Sequence, residues 1–164
     1  MKKIKLTQGK YALVDNEDYE WLSQWSWYFA KHCHQGYAQR SNWRKAPIIM
    51  HRAILEYYYP NKKYFVTDHK NGNKLDNRKI NIRLCTPSQN SFNRGKSESN
   101  TSGYKGIFWS KRNKSWQVRI SVNNKRIFVG YFKEKIEAAL AYNKAASQYH
   151  KEFARLNQVG QAVI

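Results

Sequence analysis

Apolar and polar positions change rhythm several times along this chain. Lys10-Tyr11-Ala12-Leu13-Val14 reads as a strand closed by Asp15-Asn16, and residues 18–22 as a short helix with acidic residues in its first turn. Residues 25–30 and 37–43 predict two further strands around a His/Gln/Gly turn. Residues 48–55 form an apolar-rich segment carrying Met50-His51-Arg52, which Tyr57-Tyr58-Tyr59-Pro60 stops. A strand follows at 65–69, then the tight turn Asn71-Gly72-Asn73, a polar Asn-rich loop over 76–83 and a short strand at 82–86. Thr86 and Pro87 suit the cap and first position of a helix holding Gln89, Asn90 and Asn93.

Residues 93–103 contain no apolar side chain, and 95–103 is predicted to be a linker. Beyond it the period is two, with strands at 104–109, 116–122 and 126–132 and a hairpin turn at Asn123-Asn124. Trp116, Val118, Ile120 and Val122 fall on one face, and Gln117, Arg119 and Ser121 on the other. Residues 134–150 predict a helix whose alanine stripe packs closely on that sheet. The fold class expected is α+β.

Composition narrows the partners. The chain has 164 residues, 15% of them aromatic, with a formal net charge of +19. It can bury a core, and so much positive charge calls for a polyanion. No apolar run reaches the roughly 20 residues of a membrane helix, and MKKIKL runs into polar Thr7 and Gln8 rather than a secretory apolar stretch. A cytoplasmic, non-secreted protein without membrane attachment is expected. Cys33 and Cys85 form no CxxC pair and read as reduced thiols, and His32-Cys33-His34 reads as polar surface rather than a metal site. Cations interleaved with aromatics along strands and turns favour nucleic acid over an anionic membrane.

The densest chemistry lies at 68–90. A carboxylate, Asp68, suits a hard cation such as Mg²⁺; an imidazole, His69, suits a general base; Asn90 offers a neutral oxygen from the helix. Asp68-His69, Asn71-Gly72, Asp76-Asn77-Arg78, Asn81-Ile82-Arg83, Asn90 and Asn93 together resemble the HNH endonuclease family over residues 48–93. The resemblance implies two antiparallel strands and a helix around one metal ion per active site, Mg²⁺ or Mn²⁺. It makes Asp68 and Asn90 metal ligands and His69 the general base. Asn81 braces the loop between the strands and orients His69. Met50-His51-Arg52 matches a segment of phage-type members, with Arg52 set toward backbone phosphates and His51 equally readable as a packed structural histidine.

Ser102-Gly103-Tyr104-Lys105-Gly106-Ile107, Gly130-Tyr131-Phe132 and the helix through Leu156-Asn157 resemble the AP2 DNA-binding domain over residues 101–157. That likeness implies a sheet docked in the major groove, with Lys105, Trp109, Arg119, Arg126 and Phe128 on or near DNA. Gln117 joins them from the strand pattern, where Gln and Arg read base edges. Phe108 departs from the AP2 pattern, which often has arginine there. Arg40 and Arg44 would extend the footprint from the amino-terminal strands, and Arg78 and Arg83 from the core.

The layout expected is a β-rich region at 1–47, an HNH core at 48–94, a linker at 95–103, an AP2-like domain at 104–157 and a tail at 158–164. The whole resembles phage and mobile-element homing endonucleases. It would be a metal-dependent endonuclease on double-stranded DNA, a monomer or weak dimer that nicks one strand per active site to leave a 5′-phosphate and a 3′-hydroxyl. The alternatives are a non-catalytic AP2-type regulator with a degenerate HNH core and an RNA-binding module.

Overall fold

The computed structural model describes residues 1–160 apart from 33–34, 63–64 and 124. Cys33, His34 and Asn124 of the sequence reading lie outside those residues. The chain opens with a hairpin that the lysines of its first strand conceal. Strand β1, Lys2–Lys5, pairs antiparallel with β2, Tyr11–Val14, across a turn with positive φ at Gln8 and Gly9. Alternation turns Ile4, Ala12 and Val14 inward while the lysines stay in water. Helix α1, Asn16–Ser23, carries Glu17 and Asp18 in its first turn, where the helix dipole favours anions. Trp27 is buried and its indole donates to the Leu22 carbonyl at 2.8 Å. That contact ties the end of α1 and moves the next strand, β3, Tyr28–His32, later than predicted.

Strands β3, β4 (Gln35–Arg40) and β5 (Ile48–Ile49) form one antiparallel sheet in that order. Helix α2, Met50–Tyr58, buries Met50, His51, Ile54 and Leu55, the spacing of one helical face. Strand β6, Val66–His69, pairs antiparallel with β7, Ile82–Cys85. Helix α3, Pro87–Phe92, follows.

Residues Met1–Pro87 form one compact unit and Ser88–Ile164 a second. In the first, Ile4, Val14, Leu22, Trp27, Met50, Ile54 and Ile82 belong to a single apolar cluster. The amino-terminal hairpin and the 48–87 segment therefore stabilise each other. The backbone stitches them too: Leu13 N donates to Leu75 O and Asn77 N to Leu13 O, both at 2.8 Å. Strand β2 thus holds the loop between β6 and β7 from the side.

The second unit is a three-stranded antiparallel sheet backed by a helix. Strands β8 (Ile107–Ser110), β9 (Ser115–Val122) and β10 (Lys125–Phe132) have β9 in the centre, with a bulge between Phe128 and Gly130. Helix α4, Lys135–His150, buries Ala138, Ala139, Tyr142, Ala145 and Ala146 against Ile107, Val118 and Ile120. Small side chains let the helix approach the sheet closely. Gly106, at φ +76, fits beneath the Tyr142 ring where any Cβ would overlap it. Asn157 fixes the entry to β8, accepting from Lys105 N at 2.7 Å and donating to Lys105 O at 3.1 Å. Among the described residues no helix is long and apolar enough to cross a membrane.

Candidate active site

Strand β6 ends in Asp68-His69, opposite Arg83 and Ile82 of β7. The chain then makes a loop whose many asparagines replace regular pairing with local bonds. Gly72, at φ +80, donates its N–H to His69 O at 2.9 Å. Asn71 and Asn73 side chains accept from Asn73 N at 2.7 Å and Leu75 N at 3.1 Å. Asn81 spans the loop. Its Oδ1 accepts from Asn71 N at 3.0 Å and its Nδ2 donates to Asp76 O at 2.7 Å. Those two bonds tie the start of the loop to its Asp76 turn.

The imidazole of His69 bonds elsewhere. Its Nε2 lies 3.3 Å from Oδ1 of Asn77. Asn77 Nδ2 donates to Leu75 O at 3.3 Å, so Oδ1 is the acceptor and His69 Nε2 carries the hydrogen. The lone pair is then on Nδ1. Asn77 is fully buried and was not singled out by sequence, although it stands inside the Asp76-Asn77-Arg78 run. Nothing in residue type alone distinguishes its role from that of the neighbouring asparagines.

Burial holds the His69 imidazole down at about 4; Lys74 pushes the same way, while the Asn77 bond, Asp68 and Asp76 oppose it. It is therefore neutral at physiological pH, as a proton acceptor must be. His51 lies edge-on to His69 with centroids 4.6 Å apart. Burial, then His69, Arg52 and Lys74, hold His51 well below the ordinary histidine value, and its Nδ1 meets no hydrogen-bond partner among the described residues. Tyr37 completes the aromatic cluster, with its ring 5.5 Å from His51 and 6.4 Å from His69.

The charged groups pair in order. Arg83 Nη2 and Nε donate to Asp68 Oδ2 at 2.8 and 3.1 Å. Arg78 grips Asp76 with two bonds of 2.7 Å, which holds that carboxyl below its usual range. Arg78 and Arg83, expected on DNA, thus have their charge matched by carboxylates of this chain. Asp68 and His69 are 2% and 1% exposed. Cys85 is a buried free thiol, raised to about 11 by that burial.

Among the described residues no three His, Cys, Asp or Glu side chains converge as a metal-binding group. The donor set on offer is one carboxylate, with amide and imidazole groups nearby in sequence. That chemistry fits a hard, hydrated divalent ion whose shell waters and phosphate complete, and does not fit a zinc site.

The HNH endonuclease family profile matches residues 49–92. Protein 3.8 of Escherichia phage T7 is 33% identical over 98 residues, covering 58% of this chain and 78% of that protein. An uncharacterized HNH endonuclease of Acanthamoeba polyphaga mimivirus is 30% identical over 154 residues, covering 93% of this chain and 77% of that protein. The chain belongs to the HNH endonuclease family. It is a DNA-cleaving hydrolase. No solved structure matches it.

The second unit of this HNH endonuclease presents the polar sheet face that the sequence pattern predicts. Register sets Gln117 opposite Phe108 and Tyr131, Arg119 opposite Phe128, and Arg126 opposite Ser121. Arg119, Arg126, Phe108 and Phe128 are exposed, and Gln117 donates to the Tyr131 hydroxyl at 3.2 Å. Trp109 pairs with Trp116, so it belongs to the opposite face from Gln117 and Arg119. Lys105 is turned to a local task. Its ammonium donates to the carbonyls of Phe92 and Arg94 at 2.5 and 2.6 Å, capping the end of α3, and burial lowers it to about 8. In the first unit Arg40 lies over the Trp25 ring at 4.0 Å and Arg44 over Trp43 at 5.6 Å. Arg52 is exposed on α2 beside buried His51, and Asn90 is on α3.

Proposed function

We propose that this endonuclease is divalent-metal-dependent and homing-type, and that it nicks one strand of double-stranded DNA per active site to leave a 5′-phosphate and a 3′-hydroxyl. The observation that carries the reading is the buried His69 imidazole at the end of β6, its Nε2 3.3 Å from Asn77 Oδ1. His69 takes a proton from the attacking water. Asn77 keeps the ring in place, and Asn81 keeps the loop rigid beneath it. Asp68, anchored by Arg83, would hold Mg²⁺ or Mn²⁺ in the first unit, and Asn90 is the further ligand that the family resemblance implies. When bound, that ion supplies Lewis-acid stabilisation of the scissile phosphate. The near-complete burial of Asp68 and His69 means that their charge and proton chemistry runs in a poorly hydrated place, where each interaction is stronger than in water. The AP2-like sheet face, with Gln117, Arg119, Arg126 and Phe128, supplies duplex affinity, and Arg40, Arg44 and Arg52 extend the contact.

The test is nicking of supercoiled plasmid by the full chain with Mg²⁺, with Mn²⁺ and with EDTA, followed by strand-resolved end mapping. Metal-dependent nicks with 5′-phosphate ends are expected, and His69→Ala should abolish them while plasmid binding persists. An absence of metal-dependent nicking beside intact duplex binding would select the regulator alternative instead.

A further inference from the structure

Of the cations in and beside the β6–β7 loop, Arg83, Arg78 and Lys79 are engaged. Arg83 pairs with Asp68 at 2.8 Å and Arg78 with Asp76 at 2.7 Å. Lys79 pairs with Glu17 and donates to the Tyr58 hydroxyl at 3.1 Å. Lys74 differs. It makes no hydrogen bond or ion pair with the described residues, and its ammonium rests 5.8 Å from the centre of the Tyr37 ring. Its main chain is fixed on both sides, because Asn73 and Leu75 take part in the bonds that hold the loop. The Tyr37 ring in turn neighbours both His51 and His69. The Lys74 charge is close enough to push both imidazoles down, and Asp68 acts on Lys74 in return. Asp68, His69, His51 and Asn77 are buried, whereas Lys74 is only partly so. It is a partly exposed cation beside those buried groups.

A long, flexible ammonium placed there, supported by an aromatic face and left without an anion, is short of one partner. We propose that Lys74 is a catalytic residue of this endonuclease: its ammonium donates to a nonbridging oxygen of the scissile phosphate, with Tyr37 as the positioning residue that supports it. No proton is transferred. The contact strengthens as charge accumulates on the phosphorane oxygens, so it speeds the chemical step more than it tightens binding. The proposal rests on the nuclease reading above.

The experiment uses the full chain in excess over supercoiled plasmid with Mg²⁺ or Mn²⁺, so that the nicking rate of bound DNA is read directly. Lys74→Ala should slow nicking by about 10²–10³-fold, the scale of losing one preorganised donor. Plasmid affinity should stay within about threefold, since one phosphate contact among several is lost. Lys74→Arg should be intermediate. Added ethylamine should restore Lys74→Ala by at least about tenfold and leave His69→Ala inactive; a purely structural lysine has no such rescue. Tyr37→Leu should lower the rate in the same direction by a smaller factor. Lys74→Ala nicking at the wild-type rate overturns the assignment. So does a slowed Lys74→Ala that melts early and ignores ethylamine, because that marks a packing role. A wild-type chain that nicks in neither ion overturns the nuclease reading itself, which is a separate result.

Discussion

Acidification offers a quantitative check on the buried imidazoles. His69 titrates ordinarily near 6.5 but is held at about 4 in the folded chain, mainly by burial. As pH falls below 6.5 the unfolded chain takes up a proton that the folded chain refuses. Folding stability is therefore lost between pH 6.5 and 4, and this residue adds no further loss below that. The difference of 6.5 − 4 corresponds to about 3 kcal/mol at about 1.36 kcal/mol per pH unit, most of it realised by pH 4.5. His51 is shifted in the same direction and adds to it. The Asp76–Arg78 pair, whose carboxyl is depressed, weakens only at lower pH, which makes 6.5 to 4.5 the window to use. Urea unfolding in EDTA at pH 7.0 and 4.5, followed by hydrogen exchange at the backbone amides of the β1–β2 and β6–β7 pairs, measures the loss in the first unit. His69→Gln should make the stability of that unit flatter with pH by about 2–3 kcal/mol over the window. A His69→Gln chain as acid-sensitive as wild type would refute the burial argument.

Other substitutions probe separate contacts. Asn77→Ala should reduce plasmid nicking by about 10–100-fold with unchanged DNA affinity, because His69 loses the partner that sets its tautomer; single-turnover rates decide it. Gly106→Ala forces a side chain into positive φ, against the Tyr142 ring and within 2.7 Å of the Arg119 carbonyl. It should cost the second unit about 2–4 kcal/mol, read by thermal unfolding, and a cost under about 1 kcal/mol would contradict the close fit. Arg119→Ala should weaken duplex binding and reduce the salt slope by about 1 without altering the rate on bound DNA. An unchanged slope would remove the sheet face from the interface.

The sequence by itself carried the period-two strands of the second unit, its alanine-faced helix and the Asp68-His69 strand end. Each of these depends on local alternation or on residue types at short spacing, which the chain displays without tertiary contacts. The motif also singled out Asn81, whose side chain bonds Asn71 N and Asp76 O across the loop. It could not tell Asn77 from its neighbours, because only the folded loop decides which asparagine faces the imidazole. Nor could it separate the cations. Arg78, Arg83, Lys74 and Lys105 look alike as positive residues near a polyanion site. Folding engages Arg83 with Asp68, Arg78 with Asp76 and Lys105 with the α3 carbonyls, and leaves Lys74 over Tyr37. Strand β1 escaped notice because its lysines outnumber the inward Ile4. Charge was written in the composition, but its distribution between internal pairing and a waiting phosphate belongs to the three-dimensional arrangement. That arrangement arises from contacts between residues far apart in the chain, such as Leu13 with Leu75 and Tyr37 with His69.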